Sequence, residues 1–269
     1  MSEVYKIVSE IERNQIIAKI AKGKRLDGRS LDEYRSIKIE TGIVGKADGS
    51  AKVELGDTKV IVGIKIDIGE PFPDTPNEGV ITISAELLPM AFPTFEPGPP
   101  NFDAIELARV VDRGIRHSDV VDRAKLCLIP GKKVWIIFAD IYVLDSDGNL
   151  FDASSIATLA ALKNLRLPEV KVNGEEVEVI KDSKNPIPLK GKLAAVTIAK
   201  VGDYLIVDPD NSEERIMDAR ITVAFNEDGK ICAIQKGGES SFKYQEIQSA
   251  VELARKASKT IFNELSKVM

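Results

Sequence analysis

Four carboxylates, Asp208, Asp210, Glu213 and Glu214, stand close together in YLIVDPDNSEERIMDARITV, between two apolar alternating runs. Acids grouped this way can hold Mg²⁺ through oxygen ligands while one of them positions a general base. The same spacing also suits a charged surface turn between two strands. A basic set lies in DAIELARVVDRGIRHS, where Arg109, Arg113 and Arg116 fall at i, i+4 and i+7 on one helix face, close to Asp112 and Asp119. Arginines in line can contact successive phosphates, or they form a solvated face knitted by local ion pairs. In QKGGESSF, Gly237, Gly238, Ser240 and Ser241 precede the last helix. Backbone N–H groups and hydroxyls there suit an anion, and Ser240 or Ser241 would equally cap the helix. RLDGRS, with Arg25 and Arg29 around a turn, reads as a solvated loop.

Other chemistries are excluded by composition. His117 is the single histidine among 269 residues, which removes Cys/His zinc sites and a Ser-His-Asp triad. Cys127 and Cys232, flanked by apolar residues, read as small buried side chains. A net charge of −5 gives no general attraction for nucleic acid, so RNA would need a local basic patch or basic partner subunits. No run reaches the ~18 apolar residues of a membrane span, and the first residues, MSEVYKIVSEIERN, carry acids where a signal peptide is apolar. The expectation is a cytoplasmic protein without membrane, metal or cofactor. Many Lys and Glu beside four Gln lean towards a thermophilic source.

Those residues must be positioned by a plan of strands and helices. Ser9 and Glu12 form a capping-box pattern, Ile11, Ile16, Ile17 and Ile20 repeat at helical spacing, and Gly23 stops the first helix. From Ser36 to Leu87 the period is two, in four runs separated by Gly and Asp turns. The loop LPMAFPTFEPGPPNF is too proline-rich for helix or central strand. A helix over 103–118, a long strand KVWIIFADIYVLD and an Ala/Leu-rich helix over 152–166 follow. VKVNGEEVEVI reads as an Asn-Gly hairpin, two further strand pairs come next, and a helix from about Tyr244 to Lys267 closes the chain. The pattern predicts an α+β architecture of two β-rich halves covered by helices. Approximate divisions are an N-terminal helix in 1–24, a first half in 25–190 and a second in 191–269, all within one body.

KGKRLDGRSLDEYRSIKIETGIV, GSAKVELGDTKVIVGIKIDIGEP, LFDASSIATLAALKNLRLPEV and the acidic segment through IQKGG together resemble ribonuclease PH-type domains, in order, from about Ile11 to Leu265. AIELARVVDRGIRHSDVVD and PGKKVWIIFADIYVLDSDGN are most similar to the archaeal exosome ring subunits that lack a catalytic centre. The resemblance implies a ribonuclease PH-like fold of two pseudo-repeated β-α halves with antiparallel or mixed sheets. It also implies an alternating hexameric ring with a catalytic ribonuclease PH-like partner, RNA-binding cap proteins, and 3′-to-5′ phosphorolysis of single-stranded RNA.

Against the pattern that the resemblance implies for active members, Asp208 and Glu213 match but Glu214 replaces an Asp. One added methylene moves a carboxylate by roughly 1.5 Å, enough to cost ~100-fold where geometry is catalytic. Phe102 and Asp103 stand where an arginine pair is expected, and an acid there repels a phosphate backbone. Glu239 adds charge to the phosphate loop. The expectation is therefore a non-catalytic subunit in which Asp208, Glu213 and Glu214 are degenerate catalytic remnants, Gly237, Gly238, Ser240 and Ser241 a phosphate-loop remnant, and Arg109, Arg113 and Arg116 the RNA contacts. The alternative is an active phosphate-dependent exoribonuclease using Asp208 and Glu214.

Overall fold

In the computed structural model, residues 8–268 are described; residues 1–7, part of the segment 1–24 expected to hold the N-terminal helix, and Met269 lie outside the described residues. Helix α1 (Glu10–Ile20) starts at Ser9, whose hydroxyl accepts from the Glu12 amide. Its residues Ile16 and Ile20 are buried, whereas Ile11 faces solvent.

The period-two runs become strands β1 (Ile37–Thr41), β2 (Gly49–Leu55), β3 (Thr58–Gly69) and β4 (Val80–Leu87). After the proline-rich loop come helix α2 (Phe102–His117), a single 3-10 turn (Arg123–Leu126), β5 (Cys127–Ile129) and β6 (Lys133–Asp145). These strands form one six-stranded sheet in the order β1-β2-β3-β6-β4, with β5 added to β6. Neighbours run antiparallel except β4 and β6, which are parallel. The crossover that parallel pairing needs is supplied by α2.

Helix α3 (Leu150–Asn164) follows a left-handed Asn149 that caps it. It lies between the first sheet, at β2 and β3, and the second sheet, at β9 (Leu193–Val201). Every residue from Asp152 to Leu162 is buried for that reason, as an all-round apolar helix requires; a side chain such as Leu159 gains about 1.5–3 kcal/mol from complete burial. The hairpin of β7 (Arg166–Asn173) and β8 (Glu176–Pro186) stands apart as a two-stranded ribbon. Its turn residues are Gly174 and Glu175, so Asn173 ends the strand instead of opening an Asn-Gly turn.

The second sheet has the order β10-β9-β11-β12, with β10 (Tyr204–Val207), β11 (Ala219–Asn226) and β12 (Ile231–Gly237) all antiparallel. Between β10 and β11 the expected turn is a short helix, α4 (Asn211–Ile216). Helix α5 (Tyr244–Val268) packs on β9, β10 and β11 and reaches β1. One apolar cluster runs from Tyr34 to Leu265 through both halves, while Ile16 and Ile20 of α1 join Ala199, Val201, Ile206 and Ile216 of the second half. Cys127 and Cys232 are only partly buried, contrary to expectation, because they lie on the edge strands β5 and β12.

Candidate functional site

The acidic segment is shaped by local rules. β10 ends at Val207, and Asp208, with φ of 50°, turns the chain sharply. Asp210 then caps α4: its carboxylate accepts from the Glu213 amide at 3.0 Å, and the Glu213 carboxylate accepts in return from the Asp210 amide at 3.0 Å. This reciprocal capping box satisfies two otherwise orphaned donors. The Asp-x-x-Glu spacing that encodes it is present in the sequence, and it was the signal that a helix, not a bare turn, lies here.

Asp208 and Glu213 are both fully buried, and arginines hold them. The Asp208 carboxylate accepts from Arg29 Nη1 (2.9 Å), from the Arg35 amide, Nε and Nη2 (2.9, 3.0 and 2.7 Å) and from Asn149 Nδ2 (2.7 Å). Burial alone would raise its pKa, but the hydrogen bonds and charge of Arg35 outweigh burial and leave it lowered. Glu213 receives Arg25 through Nε at 2.7 Å and through Nη2, while the same guanidinium donates to the carbonyls of Val207 and Asp208, each at 2.7 Å. Here desolvation exceeds the help from Arg25, and the Glu213 carboxyl is raised. RLDGRS is thus no solvated loop: Arg25 is 1% exposed, and with Arg29 and Arg35 it fastens the start of the first half to the acidic segment of the second.

The network continues inward. Asn149 Nδ2 also donates to Asp152 Oδ2 at 2.8 Å, so one amide bridges two buried carboxylates. Asp152 further accepts from the Tyr34 hydroxyl (2.7 Å), the Thr197 amide (3.0 Å) and the Thr197 hydroxyl (2.8 Å). Desolvation pushes Asp152 up to about 6 against these donors. Tyr34, Arg25, Arg35, Asn149 and Asp152 carry no isolated sequence signature. Their partners lie up to 188 residues away, so only the fold reveals them.

Glu214 faces elsewhere. It accepts from the Asn149 amide at 2.8 Å and lines a cavity of about 90 Å³ between α2, α3, α4 and the proline-rich loop. Phe92, Phe95, Phe151, Leu107 and Met217 form apolar walls, and Asp103, Glu106, Glu214 and Arg220 supply charge. Arg220 is committed to Glu106 at 2.7 Å and lies over the Phe151 ring, 4.4 Å from its centroid. Burial raises Glu214 to about 7, with the Asn149 amide and the Arg220 charge opposing. Asp103 and Glu106, with Glu214 only partly ionised at neutral pH, outweigh one paired guanidinium and repel a phosphate.

Gly237 pairs with Arg220 across the ladder. A Cβ at Gly237 would meet the Arg220 guanidinium at 2.6 Å, so the glycine makes room for that arginine. Gly238 follows in a left-handed turn, the Ser240 amide donates to Asp218 O, and Ser241 O accepts from Lys200. Neither serine caps α5. Glu246 reaches back to the Lys243 amide at 2.7 Å and takes that role.

On α2, Arg109 is exposed and has no ion pair or hydrogen bond among the described residues. Arg113 is half-buried beside Phe151, Thr222 and Gln235, with its Nε unpartnered, and Arg116 is held by Asp112 at 2.9 Å and 3.2 Å. Phe102 stands in solvent while Asp103 lines the cavity. Among the described residues, no group of three or more His, Cys, Asp or Glu is arranged to hold a metal ion.

Residues 33–168 match the first domain of the 3′ exoribonuclease family, and residues 193–257 match its second domain. The chain belongs to that family. It is 51% identical over 270 residues to the exosome complex component Rrp42 of Thermococcus gammatolerans, covering 100% of this chain and 97% of that one. Identity to the Pyrococcus horikoshii Rrp42 component is 52% over 257 residues, 95% of this chain and 93% of the relative. The Archaeoglobus fulgidus exosome solved with RNA bound to the active site contains a chain that superposes with a TM-score of 0.86 at 41% identity, covering 95% of this chain and 98% of that one. The ribonuclease PH-like α+β fold expected from the sequence is therefore the fold found.

Proposed function

We propose that the chain is a non-catalytic ring subunit of an archaeal exosome, working in the cytoplasm. It pairs with a catalytic ribonuclease PH-like subunit, meets RNA-binding cap proteins, and helps guide single-stranded RNA to 3′-to-5′ phosphorolysis. The observation that carries this reading is the charge of the cavity: Asp103, Glu106 and Glu214 face it, and Arg220, its one arginine, is already paired. Phosphorolysis requires inorganic phosphate beside the terminal linkage, and preorganised cations are what stabilise charge at such a centre. A site with excess negative charge instead raises the cost of bringing phosphate in.

The burial of Asp208 and Glu213 supports the same view. A general base has to reach the proton it takes, and both acids are occupied by arginines from the opposite half. They act as a clamp between halves. The RNA contacts assigned to Arg109, Arg113 and Arg116 fit the arrangement unequally: Arg109 is free to meet a phosphate, Arg113 has one idle donor, and Arg116 would have to leave Asp112.

The test is phosphate-dependent release of nucleoside diphosphates from a short RNA, by this chain, by the catalytic partner, and by the two mixed. Activity confined to mixtures and to the partner supports the proposal. Activity of this chain alone, lost in Glu214→Gln, refutes it and establishes the active-enzyme alternative. In the mixed complex, Arg109→Ala should weaken RNA binding and lower the slope of log K against log salt by about 0.7, one single-strand phosphate contact.

A further inference from the structure

The first turn of α2 carries a feature that neither the acidic cavity nor the buried clamp uses. Phe102 is 79% exposed, among the most exposed large apolar side chains of the described residues. At 3.6 residues per turn, Phe102, Arg109, Arg113 and Arg116 lie within about 60° of one another around the helix, and Phe102 precedes Arg109 by about 10 Å along it. The acids of this helix are engaged elsewhere: Asp103 and Glu106 line the cavity, and Asp112 holds Arg116. Outward on the first two turns remain the Phe102 ring, the apolar Ile105 (49% exposed) and the unpaired guanidinium of Arg109.

An aromatic face beside a cationic track is the combination that binds single strands, because every base has a π face and every nucleotide a phosphate. The platform is preorganised. Asn101 caps α2 by accepting from the Ala104 amide at 2.9 Å, and Pro97, Pro99 and Pro100 stiffen the approach. Little backbone freedom would be lost on binding. A protein partner of purely apolar character would leave the adjacent Arg109 charge without a counter-ion. A nucleotide supplies both the base and the counter-charge.

We propose that Phe102 is a base-stacking platform, and Arg109 the phosphate contact next to it, for single-stranded RNA laid along α2. This rests on the reading of the chain as an RNA-guiding subunit. The stack accepts any base and confers no sequence choice.

The experiment uses the complex assembled with the catalytic partner, with assembly checked by native mass spectrometry. A fluorescent oligoadenylate and an abasic oligomer of equal length are the probes, and Phe102→Ala, Phe102→Trp and Arg109→Ala the variants. Phe102→Ala should weaken oligoadenylate binding about 5- to 100-fold, leave the abasic oligomer and the salt slope unchanged, and be rescued by Phe102→Trp. Arg109→Ala should weaken both oligomers and flatten the salt slope. If Phe102→Ala is silent, or affects both oligomers equally, while Arg109→Ala acts as expected, the platform is overturned and the RNA-guiding reading stands. If neither variant changes binding, the path along α2 falls as well. If Phe102→Ala prevents assembly, the ring is a subunit contact and the proposal is wrong.

Discussion

Replacing Asp208 by Asn separates a structural acid from a catalytic one. The change keeps size and shape but removes the charge, and it points an amide N–H₂ at guanidinium donors where five donors now converge on one carboxylate. Arg29 and Arg35 remain nearly buried, with side chains 10% and 8% exposed. Stranding a buried charge costs about 3–5 kcal/mol. Arg29 keeps Asp27 at 2.5 Å and Arg35 keeps Asp147 at 3.3 Å, which sets the expectation near the lower end, about 3 kcal/mol. For a chain of this size that corresponds to a fall in Tm of roughly 6–12 °C. The assay is urea unfolding of the isolated chain followed by circular dichroism, with the melting temperature as a second readout. The sign with pH is fixed as well. The folded carboxyl is lowered, so its stabilisation is present above the unfolded value near 4 and is lost as pH falls through the folded one. The gap between parent and variant should therefore close in acid. A loss below about 1 kcal/mol at neutral pH refutes the clamp. Unchanged stability with activity abolished would mean that Asp208 does chemistry.

Further outcomes follow from the same geometry. Glu214→Gln keeps an oxygen for the Asn149 amide and removes a charge whose folded pKa, about 7, lies above the unfolded value near 4.5. An acid raised on folding makes the native state less stable as pH climbs from about 4.5 to 7, so the variant should be more stable than the parent at pH 8, by roughly 1–3 kcal/mol, and equal to it below pH 4. Denaturant midpoints measured across pH 4–8 check this, and a parallel pair of curves sinks it. Gly148→Ala places a Cβ at 2.6 Å from the Asp210 carbonyl carbon and 2.7 Å from the Asn211 nitrogen, in backbone with φ of 80°. Overlap with backbone and left-handed strain together should cost about 2–4 kcal/mol and loosen α4, seen as faster amide exchange at Glu213 and Glu214.

Much of this architecture was legible before any coordinates. Period-two runs and helical repeats are local consequences of one face being buried, so β1–β4, α2, β6 and α5 fall where the pattern puts them. The Ala/Leu richness of α3 fits a helix buried on most of its surface, and the structure supplies the two sheets that enclose it. The α4 helix has its Asp-x-x-Glu capping spacing in the sequence, but at six residues it is too short to show an apolar repeat that separates it from a turn. Arg25 shows the opposite limit. In RLDGRS it looks like any solvated cation, and nothing within a window of residues tells that Glu213 will desolvate it.

By itself the sequence determined the element order, the α+β class and the resemblance to ribonuclease PH-type domains. Those properties are written in local periodicity and residue type. Tertiary structure alone decided that Asp208 and Glu213 serve as anchors for three arginines, that Glu214 turns instead into an acid-lined cavity, and that Arg109 is free while Arg116 is bound. The physical reason is that charge is read through its surroundings. A carboxylate becomes a ligand, a base or a clamp according to what desolvates it and which donors reach it, and those neighbours come from segments that meet only when the two halves close together.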